Sequence, residues 1–111
     1  MITFKFTPKL TEAVKNGEET ATFRMEAKDV AMGDIVEMWT RVDRDMTELF
    51  GYAKITGIKE MRLGDAPLSY PGHATYASQE ARLAKYRGYY GVEITLQSML
   101  YIYDFEFLGE K

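Results

Sequence analysis

The sequence has no cysteine and only one histidine, His73, among its 111 residues. The lack of cysteine excludes disulfide bonds, thiolate nucleophiles and thiolate metal ligands, and it is compatible with the cytoplasmic location that we expect. One histidine and scattered carboxylates give no metal-ligand spacing, and no Gly-x-Ser-x-Gly motif is present. We therefore expect no metal and no other cofactor.

Long apolar runs are also missing. No window approaches the ~18 consecutive apolar residues that a membrane-spanning helix needs. Residues 1–6 alternate like a strand and do not have the charged and apolar regions of a signal peptide. We expect no membrane association, and the 46% of hydrophobic residues is enough for one domain over residues 1–111.

Positive charge is in deficit, because the chain carries a formal net charge of -3. Its overall field does not favour nucleic acid, which usually selects a basic surface. Any nucleic-acid site must then be a local patch or a pocket for a base. Aromatic residues, by contrast, make up 14% of the chain and include eight tyrosines, which can build strands or stack on bases.

Alternating and apolar runs predict a set of strands at residues 2–6, 20–25, 35–42, 50–61 and 99–108. The strands at 35–42 and 50–61 are expected to form a hairpin, in which Gly51 and Gly57 mark a bulge or a barrel corner. The last strand is apolar on both faces, which is typical of a central, buried strand.

Two helices are predicted between these strands. The first is capped by Thr7, starts at Pro8 and ends at Gly17. The second is predicted from about Tyr76 to Arg87, with Thr75 as its cap and Gly88 as its stop. Its expected inner face consists of small residues beside one leucine, namely Ala77, Ala81, Leu83 and Ala84.

This order of elements, without a strand–helix–strand repeat, indicates an α+β fold. We expect a small mixed β-barrel of five to six strands with two flanking helices.

A row of polar residues on the second predicted strand is the first candidate site. Thr20, Thr22 and Arg24 share one face, whereas Ala21 and Phe23 share the opposite, core-facing one. Two hydroxyls and a guanidinium in a row suit a ligand with carbonyl, carboxylate or phosphate groups. The alternative is a solvated strand face with Arg24 paired to a carboxylate, and spacing alone favours that alternative.

A basic and aromatic stretch near the second helix is the other candidate. It has no acid between Ala81 and Val92, and it consists of Arg82, Lys85, Tyr86, Arg87, Tyr89 and Tyr90. These residues could contact the phosphates and bases of RNA. Equally, the tyrosines could pack the helix on the barrel while Arg82 and Lys85 face water.

Several short motifs together resemble the ASCH domains of the PUA-like superfamily. The main one is Gly-Glu-Glu-Thr-Ala-Thr-Phe-Arg at 17–24, which is similar to the family's Gly-x-Lys-Thr-x-Thr-x-Arg pattern. The others are Ile-Thr-Phe at 2–4, Gly-Asp-Ile-Val at 33–36, the strand at 52–58, Tyr-Gly-Val at 90–92 and the strand ending at 103–107.

The resemblance implies a PUA-like barrel with a cleft beside the 17–24 motif. Members are thought to bind RNA or modified nucleosides; one subgroup removes the acetyl group of N4-acetylcytidine, and some members are described as ribonucleases. In the amidohydrolases the resemblance assigns the chemistry to a Lys and a Thr of this motif and a Glu before the second helix. Here the Lys position holds Glu19, and residues 73–76 contain no acid.

We therefore favour a binding module for RNA or a modified nucleobase, nucleoside or nucleotide. The expected ligand contacts are Thr20, Thr22, Arg24, Tyr70, His73, Arg82, Lys85 and Tyr89, with Tyr70 and His73 on the opposite wall. The alternative is a small hydrolase or ribonuclease in which Glu19 is the base, Arg24 the electrophilic group and Thr22 a further catalytic residue. A third possibility is an interaction protein that has kept the fold and lost the site.

Overall fold

A computed structural model of the chain describes residues 1–110. The elements in chain order are β1 (Thr3–Phe6), α1 (Pro8–Lys15), β2 (Ala21–Arg24), β3 (Ile35–Arg41), β4 (Thr47–Arg62), α2 (Gln79–Tyr90) and β5 (Met99–Glu110). A short 3₁₀ turn at Leu63–Asp65 precedes α2. This order of strands and helices confirms the predicted one.

All five strands join one sheet in the order β1-β3-β4-β5-β2. β1 pairs with β3 in parallel, and the remaining pairs are antiparallel. The sheet curls into a half barrel with β1 and β2 as its two edge strands. The predicted α+β mixed barrel with two helices is therefore confirmed, with five strands and an open side.

The long β4 strand bends where its glycines allow it. Its ladder with β5 shifts register between Tyr52 and Ala53, next to Gly51, and again between Ile55 and Gly57. A Cβ atom at Gly51 would lie 2.5 Å from the carbonyl oxygen of Gly109. The register shifts confirm bulges near the two glycines. Glycine at position 51 permits the close approach of the Gly109 carbonyl, because it has no side chain.

The core forms two hydrophobic clusters that meet at β5. Tyr103 and Phe105 belong to the first, together with side chains from β1, α1, β3 and β4. Leu100 and Ile102 belong to the second, with Phe23 of β2 and side chains from α2 and the preceding loop. β5 is therefore buried on both faces, as the sequence predicts.

Helix α1 begins and ends as predicted. The Thr7 hydroxyl accepts a hydrogen bond from the Leu10 amide, Pro8 is the first helical residue, and Gly17 follows the helix with φ 85°. A positive φ at this point is accessible to glycine without strain, which explains the stop.

The predicted bounds of the second helix are wrong. α2 begins at Gln79, because the Ser78 hydroxyl accepts from the Ala81 amide, and Gly91 ends it with φ 116°. Gly88 lies inside the helix. The small inner face is also wrong: the buried residues of α2 are Arg82 and Tyr86, and its alanines are exposed.

Neither helix within residues 1–110 is long and apolar enough to cross a bilayer. The same residues contain no group of three His, Asp or Glu side chains that could hold a metal ion. The single domain over residues 1–111, the cytoplasmic location and the lack of a cofactor stay predictions; Lys111 lies outside the described residues.

Candidate functional site

A cleft of about 330 Å³ opens along the free edge of β2. It is lined by the end of β1, the start of α1, the 17–24 motif, the loop at 73–76 and the last turns of α2. The half barrel is open here because β1 and β2 are edge strands that do not pair with each other. The open side of the sheet thus creates the cleft.

Positive charge concentrates in this cleft although the chain as a whole is acidic. Lys5, Arg24, Arg41 and Lys85 line it, and Glu19 is the only acid among its lining residues in the described chain. The Lys85 ammonium lies 5.6 Å above the Tyr76 ring. The local field therefore favours an anionic or acceptor-rich ligand.

One wall of the cleft is a row of tyrosines in edge-to-face contact. The ring centroids of Tyr76 and Tyr86 are 6.0 Å apart, those of Tyr86 and Tyr90 6.1 Å, and those of Tyr89 and Tyr90 6.4 Å. Tyr89 is 66% exposed at the end of the row. Its free ring face is available for stacking on a planar ligand.

Arg24 bridges the two edge strands. Its Nε donates to the Thr22 hydroxyl at 2.9 Å, and its Nη2 donates to the Lys5 carbonyl of β1 at 2.9 Å. The guanidinium lies 5.3 Å and 5.1 Å from the ring centroids of Phe4 and Phe6. The remaining N–H groups of the fork have no partner among residues 1–110 and can serve a ligand.

Glu19 is a buried carboxyl in a cleft of cations. It is 6% exposed, and its side chain makes no hydrogen bond within residues 1–110. Burial raises the pKa of Glu19 to about 7, although the charge of Arg24 acts in the opposite direction. The side chain is thus able to hold or release a proton near neutral pH.

His73 faces this carboxyl. Its Nε2 is 3.9 Å from Glu19 Oε2, and its ring stacks on Phe23 with centroids 4.0 Å apart and planes within 8°. Burial lowers the pKa of His73, so the imidazole is neutral at pH 7. Near pH 7, His73 is neutral and Glu19 is partly protonated, so this pair of titratable groups carries no full charge in the cleft.

The predicted polar row is only partly correct. Thr22 and Arg24 line the cleft, but Thr20 precedes β2 and does not line it. Thr20 packs against Gly72, whose carbonyl accepts from the Thr20 and Ala21 amides at 2.8 Å and 3.2 Å. Gly72 has φ 76° and no room for a Cβ atom, so this position requires glycine. The two hydrogen bonds to its carbonyl fix the loop that carries His73.

Tyr70 does not form the wall predicted for it. Its hydroxyl hydrogen-bonds to both carboxylate oxygens of Asp104 at 3.0 Å and accepts from the Lys59 ammonium at 2.6 Å. The Lys59 ammonium also donates to Asp104, and its hydrogen bonds to Tyr70 and, to a smaller extent, to Asp104 raise the pKa of Lys59. Tyr70 anchors the loop to β4 and β5 from outside the cleft.

Arg82 cannot contact a ligand as predicted, because it is completely buried. Its guanidinium donates to the carbonyls of Pro67, Leu63 and Ala66 at 2.8 to 2.9 Å. The residue therefore joins α2 to the preceding loop. Of the basic and aromatic stretch, Lys85, Tyr86, Tyr89 and Tyr90 line the cleft.

Sequence reasoning missed Lys5, Arg41 and Tyr76 as cleft residues. The parallel pairing of β1 with β3 brings the ends of these strands together, and that pairing leaves no mark in the local sequence. Tyr76 was expected inside the helix but lies in the loop before it. No local signal distinguishes these three positions from ordinary surface residues.

The sequence matches no family model and no curated protein. Solved structures do match. The ASCH protein of Zymomonas mobilis superposes with a TM-score of 0.64 at 19% identity, over 97% of this chain and 68% of its own. A DUF984 protein of Enterococcus faecalis V583 gives 0.67 at 15% identity, over 93% of this chain and 72% of its own. The chain has the ASCH-domain fold.

A further neighbour, a hypothetical protein, matches this ASCH fold over 96% of the chain and 97% of its own length, with a TM-score of 0.61 and 16% identity. The resemblance drawn from the motifs is confirmed for the fold. Within the ASCH fold of this chain, the 17–24 motif supplies Glu19, Thr22 and Arg24 to the cleft. At such identities the likeness concerns the fold alone.

Proposed function

We propose that the cleft binds a nucleobase-containing ligand: a nucleoside, a nucleotide or a short single-stranded RNA. The observation that carries the proposal is the clustering of four cations and a row of tyrosines in one cleft of a chain with net charge -3. Cations that contact phosphate or carbonyl oxygens and aromatic rings that stack on bases are the usual elements of such sites.

The dimensions and the free donors of the cleft support this ligand class. A volume of about 330 Å³ is at the lower end of the range typical of small-molecule sites and suits one nucleoside. Thr22, whose oxygen accepts from Arg24, keeps its O–H for a ligand acceptor. The remaining donors of Arg24 can contact a base carbonyl or a phosphate.

Tyr89→Ala is expected to weaken nucleoside and short-RNA binding, because an exposed stacking face is lost. Base–aromatic stacking contributes about 1–3 kcal/mol per base, so we expect the dissociation constant to rise about five- to 150-fold. Isothermal titration calorimetry with the four ribonucleosides and short oligoribonucleotides measures this effect. Lys85→Ala is expected to weaken binding of phosphate-bearing ligands.

Lys9→Ala is the matched control for Lys85→Ala, since Lys9 is an exposed lysine of α1 that does not line the cleft. It should leave binding unchanged. Arg24→Ala is less informative, because Arg24 also bridges β1 and β2 and its loss would disturb the fold. The proposal would be refuted by a lack of binding of every nucleoside, nucleotide and oligoribonucleotide at millimolar concentrations.

Hydrolysis of a modified nucleoside is a second candidate, supported by the pKa of Glu19. A general base is most effective when its pKa is near the working pH, and Glu19 has a pKa of about 7. The Glu19 carboxylate would take a proton from water as the water attacks an amide carbonyl, and would return it to the leaving amine. Arg24 would stabilise the oxyanion.

Glu19→Gln separates the two candidates. If the protein hydrolyses N4-acetylcytidine, we expect this variant to lose about a hundredfold or more of the rate while still binding the nucleoside. Turnover is measured as the release of acetate, which is quantified by chromatography. Equal rates in the wild type, the variant and buffer would exclude amide hydrolysis of this substrate and leave the binding function.

A further inference from the structure

A second, smaller hollow of about 80 Å³ adjoins the cleft. It is lined by Arg24, Met25, Glu26, Lys28 and Tyr90. Arg24 and Tyr90 also line the main cleft, so the two hollows share a wall. This seam hollow lies beside the free edge of β1, which Arg24 and Lys28 contact.

Two cations are held in place along this seam by the free edge of β1. The Ile2 carbonyl accepts from the Glu37 amide of β3, so the alternate carbonyls of Thr3 and Lys5 point away from β3, towards the free edge of β1. The Lys28 ammonium donates to the Thr3 carbonyl at 3.2 Å, and the Arg24 guanidinium donates to the Lys5 carbonyl at 2.9 Å. The Lys28 amide is also fixed, by the Tyr103 hydroxyl at 2.7 Å.

Both cations lie beside the Phe4 ring. Each is 5.3 Å from the centroid of the same Phe4 ring. Neither makes an ion pair with a carboxylate in the part of the chain that the structure describes. Burial lowers the pKa of Lys28, and the charge of Arg24 lowers it further. An anion in the hollow that both residues line would offset this repulsion and use their free N–H groups.

We propose that the seam hollow is a phosphate subsite, which holds the phosphate of a nucleoside monophosphate whose base lies in the main cleft. This inference rests on the proposed function of that cleft. The hollow of about 80 Å³ is much smaller than the main cleft of about 330 Å³, which suits one phosphate group better than a second base. Arg24, which lines both hollows, would contact the sugar–phosphate junction.

Glu26 lies at the exposed rim and is the only acid lining the hollow within residues 1–110. Its carboxylate repels a bound phosphate and so lowers the affinity of the subsite. Removing the charge of Glu26 should therefore strengthen phosphate binding, whereas removing the charge of Lys28 should weaken it. The test thus has two variants with opposite expected effects.

The experiment compares each ribonucleoside with its 5′- and 3′-monophosphates by calorimetry at low salt. We expect one monophosphate to bind about tenfold or more tightly than its parent nucleoside, as a charge-assisted contact contributes that much. Lys28→Met should reduce this ratio about tenfold and leave nucleoside affinity within about twofold. Glu26→Gln should raise the ratio. Lys54→Met, an exposed lysine of β4 that lines neither hollow, should leave it unchanged.

The results separate failure of the subsite from failure of the cleft. Nucleoside binding without any gain from phosphate, or a gain that survives Lys28→Met, overturns the subsite while the proposed function stands. A complete lack of binding by nucleosides and nucleotides overturns both. If Lys28→Met does not fold, Glu26→Gln decides, since an unchanged ratio in that variant contradicts the subsite.

Discussion

Arg82→Met is expected to lower the free energy of unfolding by about 4 kcal/mol or more, a large fraction of the roughly 5–15 kcal/mol of a typical domain. The Arg82 guanidinium donates three hydrogen bonds to the carbonyls of Leu63, Ala66 and Pro67. Its removal breaks three charge-assisted hydrogen bonds, which contribute about 1.5–3 kcal/mol each, although the Leu63 carbonyl keeps the Ala66 amide as a donor. Urea unfolding followed by circular dichroism measures the change.

Arg87→Met is the matched control on the same helix. Arg87 is exposed and makes one hydrogen bond, from Nε to the Ile94 carbonyl at 2.7 Å. We expect a loss of about 1 kcal/mol. Arg82→Lys should fall between the two, because an ammonium cannot reproduce the geometry of the guanidinium fork. A loss below about 1 kcal/mol for Arg82→Met would show that the carbonyls find other partners.

Glu19→Gln is expected to stabilise the protein at pH 8 by up to about 3 kcal/mol and to have little effect at pH 4. Burial raises the pKa of Glu19 from 4.5 to about 7 in the folded state. The stabilising contribution of protonated Glu19 is present in full below pH 4.5, the ordinary pKa of this carboxyl. It is lost as the pH rises through about 7, its pKa in the folded state. At pH 8 the wild type buries a charge, whereas the amide does not.

His73 has the opposite dependence and must be separated from this effect. Burial lowers the pKa of His73 below 6.5, so its contribution to stability is lost as the pH falls through that lowered pKa. The difference between Glu19→Gln and the wild type, measured by urea unfolding at each pH, isolates the carboxyl. Glu18→Gln controls for the loss of one negative charge, since Glu18 is exposed.

A stability difference between wild type and Glu19→Gln that is the same at pH 4 and pH 8 would contradict a raised pKa. It would also remove the main support for Glu19 as a general base. The stability measurement thus bears on the hydrolytic candidate without requiring any substrate. The binding function does not depend on its outcome.

Local patterns were sufficient for most elements of the fold. Alternation located the strands, and the Thr7–Pro8 pair and Gly17 located α1, because a cap or a stop acts through hydrogen bonds within a few residues. The second helix was placed three residues too early. Thr75 and Ser78 are both competent caps, but the Tyr76 amide donates to the Leu68 carbonyl of the preceding loop, and the helix starts after Ser78.

The candidate site was predicted less completely than the fold. Thr22, Arg24, Glu19 and His73 were expected in the cleft and lie there, while Thr20 and Tyr70 do not line it. Arg82 was predicted either to contact a phosphate or to face water, because basic residues are usually exposed. Three loop carbonyls, contributed by residues 15 to 19 positions earlier, explain its burial instead.

The sequence by itself determined the order of strands and helices, the two-faced burial of β5, the bulges of β4 and the motif that lines the cleft. These features depend on periodicity and backbone conformation, which act over a few residues. Tertiary structure decided the rest. The parallel pairing of β1 with β3 brings Lys5 and Arg41 to the cleft, and the burial of Glu19 sets its pKa. Such contacts join residues distant in the chain, and no local pattern encodes them.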